Sequence, residues 1–360
     1  MSQSIAIHVD KADINKAAIS EQPAPEAGEG QILCAIESFA ITANNITYAA
    51  MGETMHYWRF FPSGDDSKGI VPVWGHAKVI ASHHPDIAEG ERLYGYWPMG
   101  SHVVLTPTDV SKGTFLDAAE HRQGLAEVYN RYRRLAADPS HNPDFEGGRA
   151  VFEPLFMTSF LIEDQFRRNG FYEAGSAILT SASSKTALAL AHVLKDTSPN
   201  IRRIGLTSPG NVAFVEETGL YDEVVAYDAI ESLDATSPVV TVDFAGNGAV
   251  LNRLHAHWQD NLRYSMLVGA THVDARGGAK GLAGPEPVLF FAPTAAQAAI
   301  DELGPGGFAR TLGASWVSFA KMASGLVTIE THQGAEAMRD AYIAMVGGTV
   351  KPDIGIIAQP

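Results

Sequence analysis

Residues 177–194 read AILTSASSKTALALAHVL, and the fold turns on this stretch. A short apolar run ends in small polar residues, and a helical pattern of alanine and leucine begins at once. Such a strand-to-helix turn aims backbone N–H groups and a helix N-terminus at whatever lies above it, which suits a pyrophosphate. Ser181, Ser183, Ser184, Lys185 and Thr186 are the candidate phosphate ligands. The plain alternative is a helix capped by Ser183 or Ser184 with no ligand. A dinucleotide fingerprint would place three glycines here, whereas the turn reads TSASSKTA, so small side chains and hydroxyls must replace bare backbone.

Working outward, short β-branched runs alternate with helical stretches. The runs are SAILTSA (176–182), RIGLTS (203–208), EVVAYD (223–228), PVVTVDFAG (238–246), YSMLVGA (264–270) and PVLFFA (287–292). Successive βα units of this kind predict a parallel, doubly wound α/β sheet with crossover helices on both faces. NAD-preferring sites carry an acid at the end of the second strand, about 20 residues past the turn. That place reads LTSPGN: Thr207, Ser208 and Asn211 bear no charge to repel a 2′-phosphate, and Lys185 is near in sequence to help neutralise one. NADP(H) is therefore favoured over NAD(H), unless LTSPGN is only a turn built on Pro209 and Gly210. Ligands sit beyond the C-terminal ends of parallel strands, which adds Phe244, Ala245, Gly246, Gly269 and Ala270 as nicotinamide-end candidates.

The first 110 residues read differently, as strand-rich runs such as SIAIHV, QILCAIESFAI, AKVIAS and HVVLT separated by Pro and Gly. Two domains follow: a β-rich unit from residues 1–154 and 325–360, with the last strands returning to it, and a nucleotide-binding unit from 155–324. Between them, residues 114–134 are expected to be helical, with Arg131, Arg133 and Arg134 on a solvated face, before the polar loop AADPSHNPDFEGG. The formal net charge of −15 excludes a nucleic-acid surface. One cysteine, Cys34, lies in an apolar run, so no disulfide forms within the chain, and a cytoplasmic location without a membrane span is expected.

Most of the chain resembles the medium-chain dehydrogenase/reductase superfamily, in particular its zinc-free quinone oxidoreductase and enoyl reductase branch and, within it, a bacterial group known as a domain of unknown function. The resemblance is carried by VPVWGHAKVIA (71–81), IAEGERLYGYWPMGSHVVLTPTDV (87–110), ETGLYDEVVAYDAI (217–230), VVTVDFAGNGAVLNRL (239–254) and the ending PEPVLFFAP (285–293). It implies a GroES-like β-rich domain beside a Rossmann domain, and a homodimer formed by edge pairing of PVLFFAP, although a buried internal strand would show the same apolar pattern. The zinc enzymes of that superfamily need a catalytic Cys and a His followed by Glu; here Ala77 follows His76, so no metal site is expected and His76 reads as a core histidine satisfied by backbone. The pairs His83, His84 and His255, His257 read as surface residues.

A metal-free hydride-transfer site needs side-chain donors. The segment ITANNITYAAMG (41–52) resembles the family's stretch lining the nicotinamide pocket, and Tyr48, Asn45 and Thr47 are its candidate donors on a loop after a strand. Tyr48 reads equally as a proton donor or a wall residue. The run MGETMHYWRFFPSG (51–64) is dense in aromatics, so Tyr57, Trp58 and, from YGYWPMG, Trp97 either line a pocket for a bulky apolar or aromatic substrate or form a small aromatic core. The expectation is an NADPH-dependent reductase of an activated C=C (enone or enoyl), a quinone or a ketone; the alternatives are a catalytically silent nucleotide-binding sensor or scaffold, and a non-redox enzyme on the same fold.

Overall fold

The computed structural model describes residues 3–268 and 281–360. Beyond the turn sequence, six strands run parallel in the spatial order Glu223–Ala226, Arg202–Thr207, Ser176–Leu179, Val239–Asp243, Leu262–Leu267, Val288–Leu289. Numbered along the chain this is 3-2-1-4-5-6, the doubly wound Rossmann order, and it reverses direction between Ser176–Leu179 and Val239–Asp243. The central strands are apolar on both faces because both faces are covered: Ala177, Ile178 and Leu179 are fully buried, as are Val240 and Val242. Helix Lys185–Thr197 buries every residue from Ala187 to Leu194, which explains why its sequence lacks a polar face in that stretch.

The chain divides into two compact units, Met1–Val151 with Val327–Pro360, and Phe152–Leu326, and the division falls inside helix Glu146–Arg168. The first unit is the GroES-like β-rich one. Its larger sheet has the order Thr328–Gln333, Ile354–Gln359, Ile32–Ile41, Pro72–Ser82, Arg92–Pro98, Arg131–Arg134, Thr114–Asp117, Pro107–Thr108, with His102–Leu105 also pairing Ile32–Ile41. The C-terminal strand Ile354–Gln359 pairs antiparallel with Ile32–Ile41, so the chain's end completes the unit that its beginning started. Among the described residues no helix is long and apolar enough to cross a membrane.

The expected helix over residues 114–134 is not formed. Thr114–Asp117 and Arg131–Arg134 are antiparallel strands, with only the 3-10 turn Glu120–Arg122 and the short helix Glu127–Asn130 between them. Period-two alternation won because Tyr132 and Phe115 point into the core, stacked 5.4 Å apart, and Gly95 leaves room for the Tyr132 ring. The arginines therefore do not form a solvated helix face: Arg134 forks onto Glu91 at 2.7–2.8 Å, and Arg133 is half-buried.

A buried ion pair anchors the same region. Arg122 Nε lies 3.1 Å from Asp117 Oδ2, with both side chains 1% exposed. The other carboxylate oxygen accepts from the N–H groups of Thr106 (2.8 Å) and Ala119 (3.2 Å). Arg122 also donates to the Tyr132 hydroxyl (2.9 Å), which donates onward to the Tyr96 carbonyl (2.6 Å), and its guanidinium lies 4.6 Å from the Phe61 ring centre. Asp117→Asn leaves a buried guanidinium uncompensated and should cost about 3–5 kcal/mol. A urea midpoint unchanged from that of the parent protein would refute this.

Candidate functional site

The topological reversal concentrates the candidate nucleotide residues. Ser176–Leu179 ends in Thr180, whose hydroxyl donates to Asp243 Oδ1 (2.6 Å) at the end of the neighbouring strand. The Phe244 N–H donates to the Thr180 hydroxyl (3.0 Å), and the N–H groups of Ala245 and Gly246 donate to the Asp243 carboxylate, each at 3.1 Å. Burial raises the Asp243 carboxyl above its ordinary value, opposed by these hydrogen bonds. Two βα turns are thus tied together where a Rossmann sheet opens. Thr180 and Asp243 were missed in the sequence; an Asp followed by a small-residue turn in VDFAG is the Asx signal that marks it.

Ser181 stands in the left-handed region, φ 47°, a conformation that favours glycine, and its N–H donates to the Tyr227 hydroxyl (2.7 Å). The backbone shape a glycine would supply is therefore present without the glycine. Ser184 is the N-cap of Lys185–Thr197, accepting from the Ala187 N–H at 3.2 Å. Ser183 Oγ accepts from Asn211 Nδ2 (3.1 Å) and from the Thr207 hydroxyl (3.4 Å), so three of the candidates from separate turns converge. Ser208 is exposed beside them, and Lys185 and Thr186 are half-buried on the first helical turn. Gly205 permits this closure, since a Cβ there would meet the Ala182 Cβ at 2.9 Å. Phe244 is half-buried, and Gly246 takes φ 65° in the second turn. Gly269 and Ala270 lie outside the described residues.

In the first unit, Ala43–Ala50 is a helix rather than the expected loop. A capping box forms it: the Asn45 side-chain oxygen accepts from the Thr42 N–H at 2.6 Å, and the Thr42 side chain accepts from the Asn45 backbone. The Asn45 amide nitrogen donates to the Pro72 carbonyl (2.9 Å), so both ends of this buried amide serve the backbone and Asn45 is a positioning residue. Thr47 is half-buried on the same helix. Tyr48 is buried, and its oxygen accepts from Trp74 Nε1–H at 3.2 Å. Burial first, then the neighbouring Tyr57, pushes the Tyr48 phenol far above its ordinary value, so it stays protonated at neutral pH.

The aromatic run closes on itself. Tyr48 packs on Tyr57 (ring centres 4.7 Å) and edge-on to Tyr96 (5.5 Å), and Trp74 lies 5.0 Å from Tyr96. Two of the expected pocket residues are core instead. Trp97 is fully buried, donates to the Gly75 carbonyl (2.9 Å) and packs on Tyr132. Trp58 fills a slot between Gly52 and Gly69, where a Cβ would come within 2.1 and 2.2 Å of its ring.

His76 differs from its expected satisfied state: it is fully buried, and neither ring nitrogen has a hydrogen-bond partner. His255 is likewise not a surface residue but a buried one, bonded to the Ala283 carbonyl (2.7 Å) and Ser265 (2.9 Å). Desolvation pushes the His76 imidazole down to about 3. Its folded value lies below its unfolded one, so between pH about 6.5 and 3 the unfolded chain binds more protons and stability is lost as pH falls, by about 1.4 kcal/mol per unit from this group. His76→Leu should flatten that slope in urea denaturation at pH 4–6; an unaltered slope would show that another group carries it.

Solved structures share this arrangement over their whole length. CurA from Vibrio vulnificus in complex with NADPH is similar with a TM-score of 0.62 at 14% identity, covering 99% of both chains. The yhdH oxidoreductase from Salmonella enterica in complex with NADP has a TM-score of 0.55 at 12% identity, covering 100% of both chains. The quinone oxidoreductase from Coxiella burnetii gives 0.55 at 12% identity, also over 100% of both. At such identities the likeness establishes the fold alone, a GroES-like β-rich unit and a Rossmann unit in one chain. No curated protein matches the sequence. Residues 39–351 match the family described as "Protein of unknown function (DUF2855)", most of the chain, and the protein belongs to that family.

Proposed function

We propose that the protein is an NADP(H)-dependent oxidoreductase acting without a catalytic metal on a small activated C=C (enone or enoyl), quinone or ketone. The carrying observation is the hydroxyl-lined turn at the reversal of the parallel sheet, with Ser183, Thr207 and Asn211 converging and no carboxylate at the end of Arg202–Thr207. These residues fit a phosphorylated dinucleotide: the helix N-terminus at Ser184 and Lys185 suits the pyrophosphate, and Thr207, Ser208 and Asn211 suit the adenosine ribose phosphate. Three of the similar structures are complexes with NADPH or NADP. When bound, NADPH supplies a hydride from its nicotinamide ring.

The chain's own share of the chemistry is then a proton. Tyr48 holds one on its phenol at neutral pH, and the Trp74 N–H donating to its oxygen both aims the group and stabilises the phenolate left after transfer. Asn45 fixes the helix that carries Tyr48. Metal independence is supported by Cys34, whose thiol is buried and pushed well above its ordinary value, against the thiolate a metal requires. For assembly, the edge strand Val288–Leu289 exposes Val288 (45%) and Leu289 (59%), with Phe291 (53%) beside them, a surface suited to a second copy of the chain.

Fluorescence titration should show NADPH binding at least tenfold tighter than NADH, and Ser208→Asp should erase that preference by placing a carboxylate where the 2′-phosphate sits. Failure of both nucleotides to bind would end the oxidoreductase reading. Tyr48→Phe should lower kcat by about 10²–10⁴ while leaving NADPH affinity intact. Nucleotide binding with no turnover of any enone, quinone or ketone would point instead to a silent sensor.

A further inference from the structure

The first unit holds an arrangement that its packing alone does not explain. The ring of Tyr129 sits among five others: Tyr96 at 4.8 Å, Phe60 at 5.5 Å, Tyr57 at 5.7 Å, Trp74 at 6.1 Å and Tyr48 at 6.2 Å between ring centres. Most meet it edge-on or tilted, the geometry in which aromatic faces and edges attract. A core of this shape needs only phenylalanines. Here the box is phenol-rich, yet the Tyr96 hydroxyl is buried without a hydrogen-bond partner, and the Tyr129 hydroxyl is bonded to that of Tyr57 at 3.3 Å. Buried hydroxyls left unpaired are unfavourable and call for a state in which they are paired.

Tyr129 is also held by a short element, tied on its N-terminal side by Arg59 to the Gln123 carbonyl at 3.3 Å. It belongs to the four-residue helix Glu127–Asn130, which lacks a side-chain cap and is entered from Ala126 and left through Arg131 in extended conformation. Tyr129 itself is half-buried, and its neighbour Val128 is 39% exposed. Firm anchors flank this piece. On one side Arg122 is locked to Asp117 and Tyr132; on the other Arg131–Arg134 is paired into the sheet. Gly124, at φ 78°, lies just inside the first anchor.

We propose that Tyr129 is a displaceable plug: its ring occupies the place of a single planar ring of phenol size bearing a ring oxygen, which the Tyr48, Tyr57, Phe60, Trp74 and Tyr96 box receives when residues 123–130 swing out. The incoming oxygen takes the place of the Tyr129 hydroxyl beside Tyr57, in a box whose Tyr96 hydroxyl lacks a partner in the plugged state. Tyr129 thereby sets specificity, admitting flat single rings that match its own and rejecting branched or saturated ones. The inference rests on the proposed reductase only for the use made of the bound ring beside Tyr48; the ring site itself stands on the geometry of the first unit.

The test uses the whole, nucleotide-free protein and p-cresol, the side chain of tyrosine as a free molecule. Hydrogen exchange of residues 123–130 should accelerate at saturating p-cresol, while exchange in the strands stays unchanged. Tyr129→Ala should bind p-cresol at least tenfold more tightly than the parent, because the competing plug is gone. It should bind p-xylene, which lacks the hydroxyl, more weakly than p-cresol. Binding accompanied by unchanged or slower exchange over 123–130 would overturn the plug, as would no binding to either protein. Should Tyr129→Ala not fold, the exchange measurement on the parent decides alone. NADPH titration of the same samples separates the two readings: nucleotide binding without p-cresol binding sinks the plug and leaves the reductase, and the converse sinks the reductase and leaves the ring site.

Discussion

The hydrogen bond from Thr180 to Asp243 is the contact on which the parallel-sheet unit depends. In a parallel sheet the central strands are buried on both faces, and the place where strand order reverses leaves two turns diverging over a crevice. Asp243 joins them by accepting from the Thr180 hydroxyl and from the N–H groups of Ala245 and Gly246. Without it the first and fourth turns would lose the side-chain bond that ties them together. With it, Ser181 is held in a left-handed conformation and Ser184 caps a helix whose N-terminus points out of the sheet. Hydroxyls and one carboxylate do here what bare glycine backbone does elsewhere.

The β-rich unit is held by different means. Its interior carries charge and phenol as well as hydrocarbon, Arg122 with Asp117 and Arg149 with Asp138 at 2.5 Å, and nearer the surface Arg92 forks onto Glu146 at 2.7–2.9 Å. Such groups are poor sources of net stability and strong sources of specificity, because each misplacement strands a charge. They hold the strand Arg131–Arg134 and the segment before it against the sheet. That leaves Tyr129 between two anchored segments, packed edge-on to Tyr48, whose phenol burial raises well above its ordinary value.

Patterns that repeat along the chain were legible in the sequence. Alternating βα runs announced the parallel sheet, and the uncharged LTSPGN announced a second-strand end without an acid. Ser184 as an N-cap followed from local chemistry. Where local signals competed, the sequence misled: residues 114–134 carry a charged, helix-compatible composition, yet Tyr132 and Phe115 bury better as strand neighbours. Asn45 looked like a donor and is a cap, because a capping box depends on a three-residue spacing that also suits a loop.

By itself the sequence determined the order of strands and helices in the parallel-sheet unit, the turn that carries the nucleotide candidates, and the lack of an acidic ribose ligand, since these depend on period and on neighbours in the chain. Only the tertiary structure decided which candidates meet. Ser183, Thr207 and Asn211 lie 24 and 28 residues apart and converge through parallel pairing. Tyr129, 81 residues from Tyr48, reaches it through a sheet that brings distant strands together. His76, which the chain places in an unremarkable strand, is sealed there with both ring nitrogens unpaired. Burial and long-range pairing are properties of the folded whole, and no local pattern of residue types encodes them.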